Sequence, residues 1–297
     1  MIMEIRVLKY FLAVAREGNI TKAAEMLHIT QPTLSRQLMQ LEDELGAALF
    51  VRGKRKIILT EAGMLLKRRA EEIVSLSERT ELEIGNQDNE VSGEIVLACG
   101  ITEATNTMSE YIQKFKQLYP NVTFHVRNGN SDFIIESIEN GLVDIGFVLE
   151  PVNLEKLSFL KMNKKEKYGI LMKKNSPLSH KDYITCDNLK GIPLINTARI
   201  ETQTQLKEWV GSDYNQLDFV AVSELTTIAS ILVSHNIGNA VVVEGSVNYA
   251  TNQELCFKPF YPELTTTSLA VWKKHQSFNF TISKFIDFIS KEIKENR

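Results

Sequence analysis

The sequence predicts a chain of two parts, an all-α winged helix-turn-helix head followed by an α/β domain. Three observations predict this arrangement. Two helical apolar stripes, separated only by His28, Ile29 and Thr30, lie within residues 19–45. Two short apolar runs around a basic, glycine-containing turn follow within residues 49–59. From Gly93 onwards, strand-like apolar runs alternate with helical patterns, which favours a parallel sheet covered by helices.

Length and composition narrow the class of protein. The 297 residues are too many for one hydrophobic core, and 43% hydrophobic and 24% charged residues are ordinary for a globular chain. No run of about 18 apolar residues is present, so no membrane span is predicted. Charged residues near the start argue against a secretory signal, and we expect a cytoplasmic protein.

The cysteines and the distribution of charge give two further indications. Cys99, Cys186 and Cys256 form no CxxC pattern, so neither a disulfide framework, a metal site nor a cofactor is expected. Residues 1–70 contain 12 Lys and Arg against 7 Asp and Glu, a net charge of +5. The remaining 22 basic and 30 acidic residues give −8, which sums to the −3 of the chain. A basic head on an acidic remainder is typical of nucleic-acid binding.

The head is predicted to contain three helices around one small core. The first spans residues 4–16 and ends at Gly18. The second spans residues 20–27 with Asn19 as its cap, and the third begins near Pro32, which fits only a first helical turn. The apolar faces of the first and third helices comprise Ile5, Leu8, Phe11, Leu12 and Ala15, and Leu34, Leu38, Leu41 and Leu45.

The start of the third helix carries side chains suited to DNA. Two helices joined by so short a turn match a helix-turn-helix, whose second helix enters the major groove. Short polar and cationic side chains there can bond base edges, and helix N–H groups suit phosphate. The candidates are Gln31, Pro32, Thr33, Ser35 and Arg36, with Thr21 of the second helix as a backbone contact. An ordinary helical hairpin with a solvated face is the alternative.

A predicted β-hairpin wing adds basic residues. The turn at residues 53–56 separates the two apolar runs. Arg52, Lys54 and Arg55 at this tip would meet phosphates and add affinity without sequence information. A turn that is basic only for solubility is the alternative.

A long helix is predicted from Thr60 to residue 86. Its intermittent apolar stripe is too long for the small head to bury, so we expect pairing with the same helix of a second subunit. Residues 85–89 then read as a linker. The stripe comprises Ala62, Leu66, Ile73, Leu76 and Ile84.

Six blocks follow one another in the head: LKYF at 8–11, GNITKAA at 18–24, QPTLS at 31–35, LEDELG at 41–46, LFVR at 49–52 and LTEAG at 59–63. In this order and spacing they resemble the LysR-type transcriptional regulators. The later phrase IENGLVDIGF at 138–147 resembles the effector domain of that family.

The resemblance implies an architecture for the whole chain. Residues 1–60 would form the winged helix-turn-helix DNA-binding domain, 61–90 the linker and dimerisation helix, and 91–297 the effector-binding domain. In the family this last domain has two α/β lobes, which resemble periplasmic solute-binding proteins and are joined by two crossing strands. Lobe I is expected near 93–162 and 268–297, and lobe II near 163–267.

A small molecule is expected in the cleft between the lobes. Open α/β sheets bind ligands beyond the C-terminal ends of their strands, and helix starts there favour anions. Each polar candidate can instead be only a helix cap, and Arg199 can instead be solvated. The candidates are Thr102, Thr105, Asn130, Ser131, Asn196 and Thr197, with Arg199 as a partner for an acid group.

The predicted function is sequence-specific, effector-controlled regulation of transcription. The partners are double-stranded promoter DNA, a small-molecule effector with anions among the candidates, and further copies of the chain, for which the resemblance implies a dimer of dimers. An enzyme is disfavoured, since GxGxxG, GxxxxGK[ST], GxSxG and HExxH are all absent from the sequence. A solute-binding domain acting alone and a thiol sensor at Cys99 are the remaining alternatives.

Overall fold

The computed structural model describes residues 3–52, 57–85, 91–247, 254–276 and 278–295, without the side chains of 52, 79 and 82–85. Lys54, Arg55 and the predicted linker at 86–89 therefore lie outside the described residues. The chain divides into two compact units, Met1–Asp88 and Asn89–Arg297. Among the described residues, every helix is too short or too polar to span a bilayer.

Within its described residues, the first unit contains four helices and a pair of short strands. Gly18 and Gly46 end the first and third helices in the left-handed conformation, with φ of 61° and 64°. The two strands pair antiparallel, with Phe50 opposite Leu59. The elements are α1 (Ile5–Glu17), α2 (Ile20–Met26), α3 (Gln31–Leu45), β1 (Phe50–Arg52), β2 (Ile57–Leu59) and α4 (Glu61–Gly85).

The core of the first unit confirms the stripe of α3 and shifts that of α1. Leu34, Leu38 and Leu41 are buried as predicted. Ile5 is exposed, contrary to prediction, because α1 packs against α4 as well as α3 and turns Val7 and Val14 inward instead.

Helix α4 has two apolar faces, where the sequence suggested one. The face that meets the head is formed by Leu66, Ala70 and Val74, so Leu66 does not belong to a subunit-pairing stripe. Ile73 and Leu76 lie on another, exposed face, and Leu76 is 45% exposed. The small head therefore covers one side of the helix and leaves a second apolar side open to solvent.

Across its described residues, the second unit alternates strands and helices around a nine-stranded mixed sheet, whose main path runs β4-β3-β5-β11-β6-β9-β7-β8. β3 runs parallel to β4 and β5, and β7 runs parallel to β8 and β9. The central strands β11 and β6 pair antiparallel, which the predicted parallel sheet did not include. The elements are β3 (Gly93–Cys99), α5 (Glu103–Leu118), β4 (Val122–Asn128), α6 (Ser131–Glu139), β5 (Ile145–Leu149), β6 (Leu157–Lys173), β7 (Pro193–Thr197), α7 (Ile200–Val210), β8 (Asp218–Ser223), α8 (Thr226–Ser234), β9 (Asn239–Val243), β10 (Leu255–Pro259), β11 (Thr265–Lys273) and α9 (Phe280–Glu295).

The 17-residue strand β6 divides this unit into two lobes. Its first part pairs with β11 beside β3, β4 and β5, which pack against α5, α6 and α9; we call this part lobe I. Its second part pairs with β9 and β10, which together with β7, β8, α7 and α8 form lobe II. Both lobes therefore share one continuous strand.

Candidate functional site

The N-terminal end of α3 presents an exposed polar surface. Gln31, Pro32, Thr33 and Arg36 are exposed and Ser35 is half-buried. Thr30 does not cap the helix with its side chain; its hydroxyl lies 2.8 Å from that of Thr33. The first turn of α3 therefore keeps its N–H groups free of a side-chain acceptor, which suits an approaching phosphate.

Two features hold this surface in place. The Asn19 side chain accepts hydrogen bonds from the backbone of Thr21 (2.8 Å) and Lys22 (3.1 Å) and so caps α2, and Thr21 itself is exposed. Glu42 on α3 accepts from the backbone N–H of Leu49 (2.7 Å) and Phe50 (3.2 Å), which ties the helix to the hairpin. Within the part of the chain that is described, Arg36 has no ion-pair partner.

A cavity of about 150 Å³ lies between the two lobes of the second unit. Most of its apolar lining comes from β5 and β9. At one end the Tyr168 hydroxyl lies 3.4 Å from that of Thr202, and burial raises the pKa of Tyr168, so it stays a neutral hydrogen-bonding group. A cavity of this size accommodates a molecule about as large as benzene.

Six of the seven residues predicted for the cleft line this cavity, namely Thr102, Asn130, Ser131, Asn196, Thr197 and Arg199. Thr105 does not line it. Its hydroxyl donates to the carbonyl of Gly100 (2.7 Å) and accepts from the N–H of Thr102 (3.4 Å), which completes a capping box at the start of α5. Thr105 therefore supports the cleft wall from behind.

Several of these polar groups are already engaged within the protein. Thr102 caps α5 and Asn130 caps α6 with their side chains. Asn196 donates to the Tyr214 hydroxyl at 3.1 Å. By contrast, Ser131 is only 8% exposed at the cavity wall, and its hydroxyl makes no hydrogen bond within the described part of the protein.

Lobe II contributes two helix starts and one guanidinium to the cavity, which Glu224 also lines. Helices α7 and α8 both begin there without a side-chain cap, at Arg199 and Leu225. The Arg199 side chain is only 11% exposed; its Nη2 donates to the carbonyl of Pro151, and its Nε lies 3.5 Å from Glu201 without hydrogen-bond geometry. Open helix starts and a buried guanidinium together favour an anion.

Beyond Asn196, Thr197 and Arg199, sequence reasoning missed the residues that lobe II contributes to the cavity. Thr226 and Thr227 at the start of α8, and Ser246 after β9, also line the cavity. The two threonines follow the end of β8 and so carry the same signal that identified the other candidates. Tyr168 lies inside a continuous strand and carries no such signal. No cluster of three or more His, Cys, Asp or Glu side chains in the described ranges is arranged to hold a metal ion.

The sequence matches two family patterns. The pattern of the bacterial regulatory helix-turn-helix protein of the lysR family covers residues 5–64, and that of the LysR substrate binding domain covers residues 88–294. The chain belongs to the LysR family. Its members are transcriptional regulators, so this chain is a regulator with a DNA-binding head and an effector-binding domain, and not an enzyme, as predicted.

Two relatives and one solved structure illustrate the membership in the LysR family. The Hca operon transcriptional activator HcaR of Escherichia coli K12 is 28% identical over 279 residues, which cover 92% of each chain. The HTH-type transcriptional regulator BsdA of Bacillus subtilis is 36% identical over 162 residues, which cover 54% of this chain and 56% of BsdA. Full-length CbnR, solved with its target DNA, has a TM-score of 0.72 at 21% identity, covering 97% of this chain and 99% of CbnR. This last similarity establishes the LysR-type fold.

Proposed function

We propose that this LysR-family chain binds pseudo-palindromic promoter DNA through paired heads and changes its DNA contacts when a small anion binds between the two lobes. The exposed, uncapped start of α3 carries the first half of this proposal. Gln31, Pro32, Thr33, Ser35 and Arg36 would face bases and adjoining phosphates. Thr21, Arg52, Lys54 and Arg55 would mainly hold the DNA backbone.

Replacing Arg36 tests whether α3 reads sequence. Arg36→Ala is expected to weaken binding to a specific site by about 1–3 kcal/mol, because a bidentate contact to guanine is lost. Binding to random DNA should change little. The measurement is a titration of the full chain on DNA from upstream of its own gene and on random DNA, at several salt concentrations.

The matched control is Lys22→Ala, which removes one exposed charge from α2 near the same surface. This variant should weaken binding to the specific and the random DNA equally. It should also lower the number of ions released on binding, measured from the salt dependence of the affinity, by about one. If Arg36→Ala loses the same affinity for the specific and the random DNA, Arg36 contacts phosphate and not a base. Failure to bind any site in a genome-wide selection would contradict the proposed DNA-reading function.

The second half of the proposal concerns the effector. The cavity offers an apolar lining, the unengaged hydroxyl of Ser131 and the positive starts of α7 and α8 beside Arg199. These groups favour a compact molecule with an apolar body and one acid group. Such a ligand would bind one arrangement of the lobes more tightly than another and thereby shift the heads on DNA.

A thermal-shift screen tests this ligand class. Small carboxylates and their amide counterparts of the same size are added to the full chain, and we expect the acids to raise the melting temperature more than the amides. Arg199→Gln should reduce the gain from the acids and leave the amides unaffected, because a neutral side chain offers no charge to the ligand. Equal gains for acids and amides would contradict an anion site.

Self-association is inferred from three exposed apolar faces. On α4, Ile73 and Leu76 are exposed. In the second unit, the exposed apolar residues include Val222 on the edge strand β8, Ile231 on the following helix α8 and Val126 on the edge strand β4. We infer that α4 pairs two heads, and that the two sheet edges join such pairs into a dimer of dimers. In this assembly DNA binding would belong to residues 1–60, pairing of subunits to residues 61–90 and effector binding to residues 91–297. Sedimentation of the full chain as a monomer at all concentrations would contradict this assembly.

A further inference from the structure

Strands β6 and β11, which cross between the two lobes, change their pairing register at one point. Thr267 of β11 pairs with Lys165 of β6, whereas Leu269 pairs with Lys161, so Ser268 alone opposes three residues of β6. Such a bulge bends a strand and redirects side chains. The junction between the two lobes is therefore irregular at this point of the ladder.

A buried carboxylate lies beside this bulge. Glu166 on β6 is only 4% exposed. Its Oε1 accepts a hydrogen bond from the Ser268 hydroxyl, and its Oε2 accepts from the backbone N–H of Glu103, both at 3.1 Å. Burial raises the pKa of Glu166, while these two donors oppose the rise. Glu166 thus attaches the first residue of α5, in lobe I, to the crossing strands.

Lobe II meets the same two groups through a glycine. Gly245 lies in the 3-10 turn Glu244–Ser246 that follows β9. A Cβ added at Gly245 would overlap the backbone nitrogen of Glu103 and lie 2.5 Å from Oε2 of Glu166. The φ angle of Gly245 is outside the left-handed region, so its backbone conformation does not call for glycine. What requires glycine here is the close approach of the two lobes.

The opposite side of this turn faces the cleft. The next residue, Ser246, lines the cavity and its hydroxyl donates to the carbonyl of Val243 at 2.6 Å. The Thr226 hydroxyl lies 3.1 Å from that of Ser246, which joins the turn to the start of α8. On the lobe I side, Thr102 lines the same cavity one residue before Glu103. A ligand in the cleft would therefore touch Thr102 and Ser246, the residues next to Glu103 and Gly245 in the chain.

We infer that Gly245, Glu103 and Glu166 form a latch between the lobes, which closes when the cleft closes and opens when it opens. Glu166 holds the start of α5 in the position that receives the glycine turn. Ligand contacts to Thr102 and Ser246 then favour the closed latch, because both residues adjoin it. The regulatory meaning rests on the proposed effector cleft, whereas the latch itself is a contact within the protein that needs neither ligand nor DNA.

Gly245→Ala tests the latch by placing a methyl group between the lobes. We expect hydrogen exchange of the Glu103 amide in the full, unliganded chain to rise about ten-fold, since local opening exposes amides in proportion to its population. The C-terminal half of α5 should exchange as before. The matched control is Gly238→Ala, whose Cβ would lie 3.0 Å from the carbonyl oxygen of Pro193 within lobe II. Its effect should stay in lobe II.

Two variants of Glu166 separate a latch from simple packing. Glu166→Gln keeps an oxygen for the Glu103 N–H and an amide group for Ser268, so protection of Glu103 should persist. Glu166→Ala should remove it, and adding Gly245→Ala should then have no further effect on that amide. The latch is overturned if Gly245→Ala leaves Glu103 protected, if Gly238→Ala exposes it equally, or if the effects of Glu166→Ala and Gly245→Ala add. None of these readouts involves the effector, so they remain decisive if the effector site lies elsewhere.

Discussion

Gly63→Ala is expected to destabilise the DNA-binding head by about 3 kcal/mol, at the upper end of the costs of overpacking. A Cβ at this position would overlap the carbonyl oxygen of Leu49 and lie 3.0 Å from Leu59 Cδ2. That carbonyl is already fixed by the backbone N–H of Thr60 at 3.0 Å. The start of α4 and the end of the α3–β1 loop can therefore not separate without breaking this hydrogen bond.

Whether Gly63→Ala lowers or raises the stability of the head shows whether the close contact or helix propensity dominates at this position. On propensity alone, Gly→Ala in a helix would stabilise the protein by about 1 kcal/mol. Hydrogen exchange of α1 and α3 in the full chain measures the outcome, with DNA affinity as the functional readout. Met64→Ala is the control, since Met64 is 56% exposed and should leave exchange nearly unchanged. Slower exchange in Gly63→Ala would contradict the predicted clash.

Phe115→Ala is expected to cost the second unit about 3–5 kcal/mol. Phe115 on α5 is fully buried, and its ring centroid lies 4.7 Å from that of Tyr119 and 4.9 Å from that of Phe285. Phe124 and Phe288 complete this cluster. Removing the central ring leaves a cavity that its neighbours cannot fill without moving α9. Calorimetry of the full chain should show that the melting temperature of the second unit falls by roughly 10 °C.

Phe159→Ala provides a matched control for the loss of a ring. Phe159 lies on β6 in the same lobe but is about half exposed. Its removal should cost less than about 1.5 kcal/mol, because little apolar area returns to water. If the two variants lowered the transition equally, the aromatic cluster would not be the core of lobe I.

The elements that sequence reasoning predicted well are those with one apolar face and one neighbour. Leu34, Leu38 and Leu41 repeat at helical spacing and meet a single core, so α3 and its exposed face followed directly. Helix α4 meets the head on one side and leaves Ile73 and Leu76 exposed on another. Periodicity identifies apolar positions but not which partner covers them. Strand direction is likewise not encoded in the alternation of β6, so the antiparallel centre of the sheet was not predicted.

Only some of the residues that line the cleft could be predicted, because only some of them carry a local signal in the sequence. Polar residues at strand ends, such as Asn130 and Ser131, carry a local signal, because helix starts select them. Ser246 and Tyr168 reach the cavity only through the return of the chain across the sheet. The contact of Gly245 with Glu103 joins residues on different lobes and depends on how these close. No local pattern encodes such a contact. Thr105 has the same local signal as Thr102, but it completes the capping box of α5 behind the cavity wall.

The position of α9 in the chain has a consequence during synthesis. Its residues Ile282, Phe285, Ile289 and Ile293 complete the core that α5 and β3 begin almost 200 residues earlier. While a nascent chain is emerging from the ribosome, the head and most of lobe II are available before that core can close. The head can therefore fold early, whereas the core of the effector-binding domain has to wait for α9. A nascent chain that stops short of α9 would therefore carry a folded head on an effector-binding domain whose core is still open.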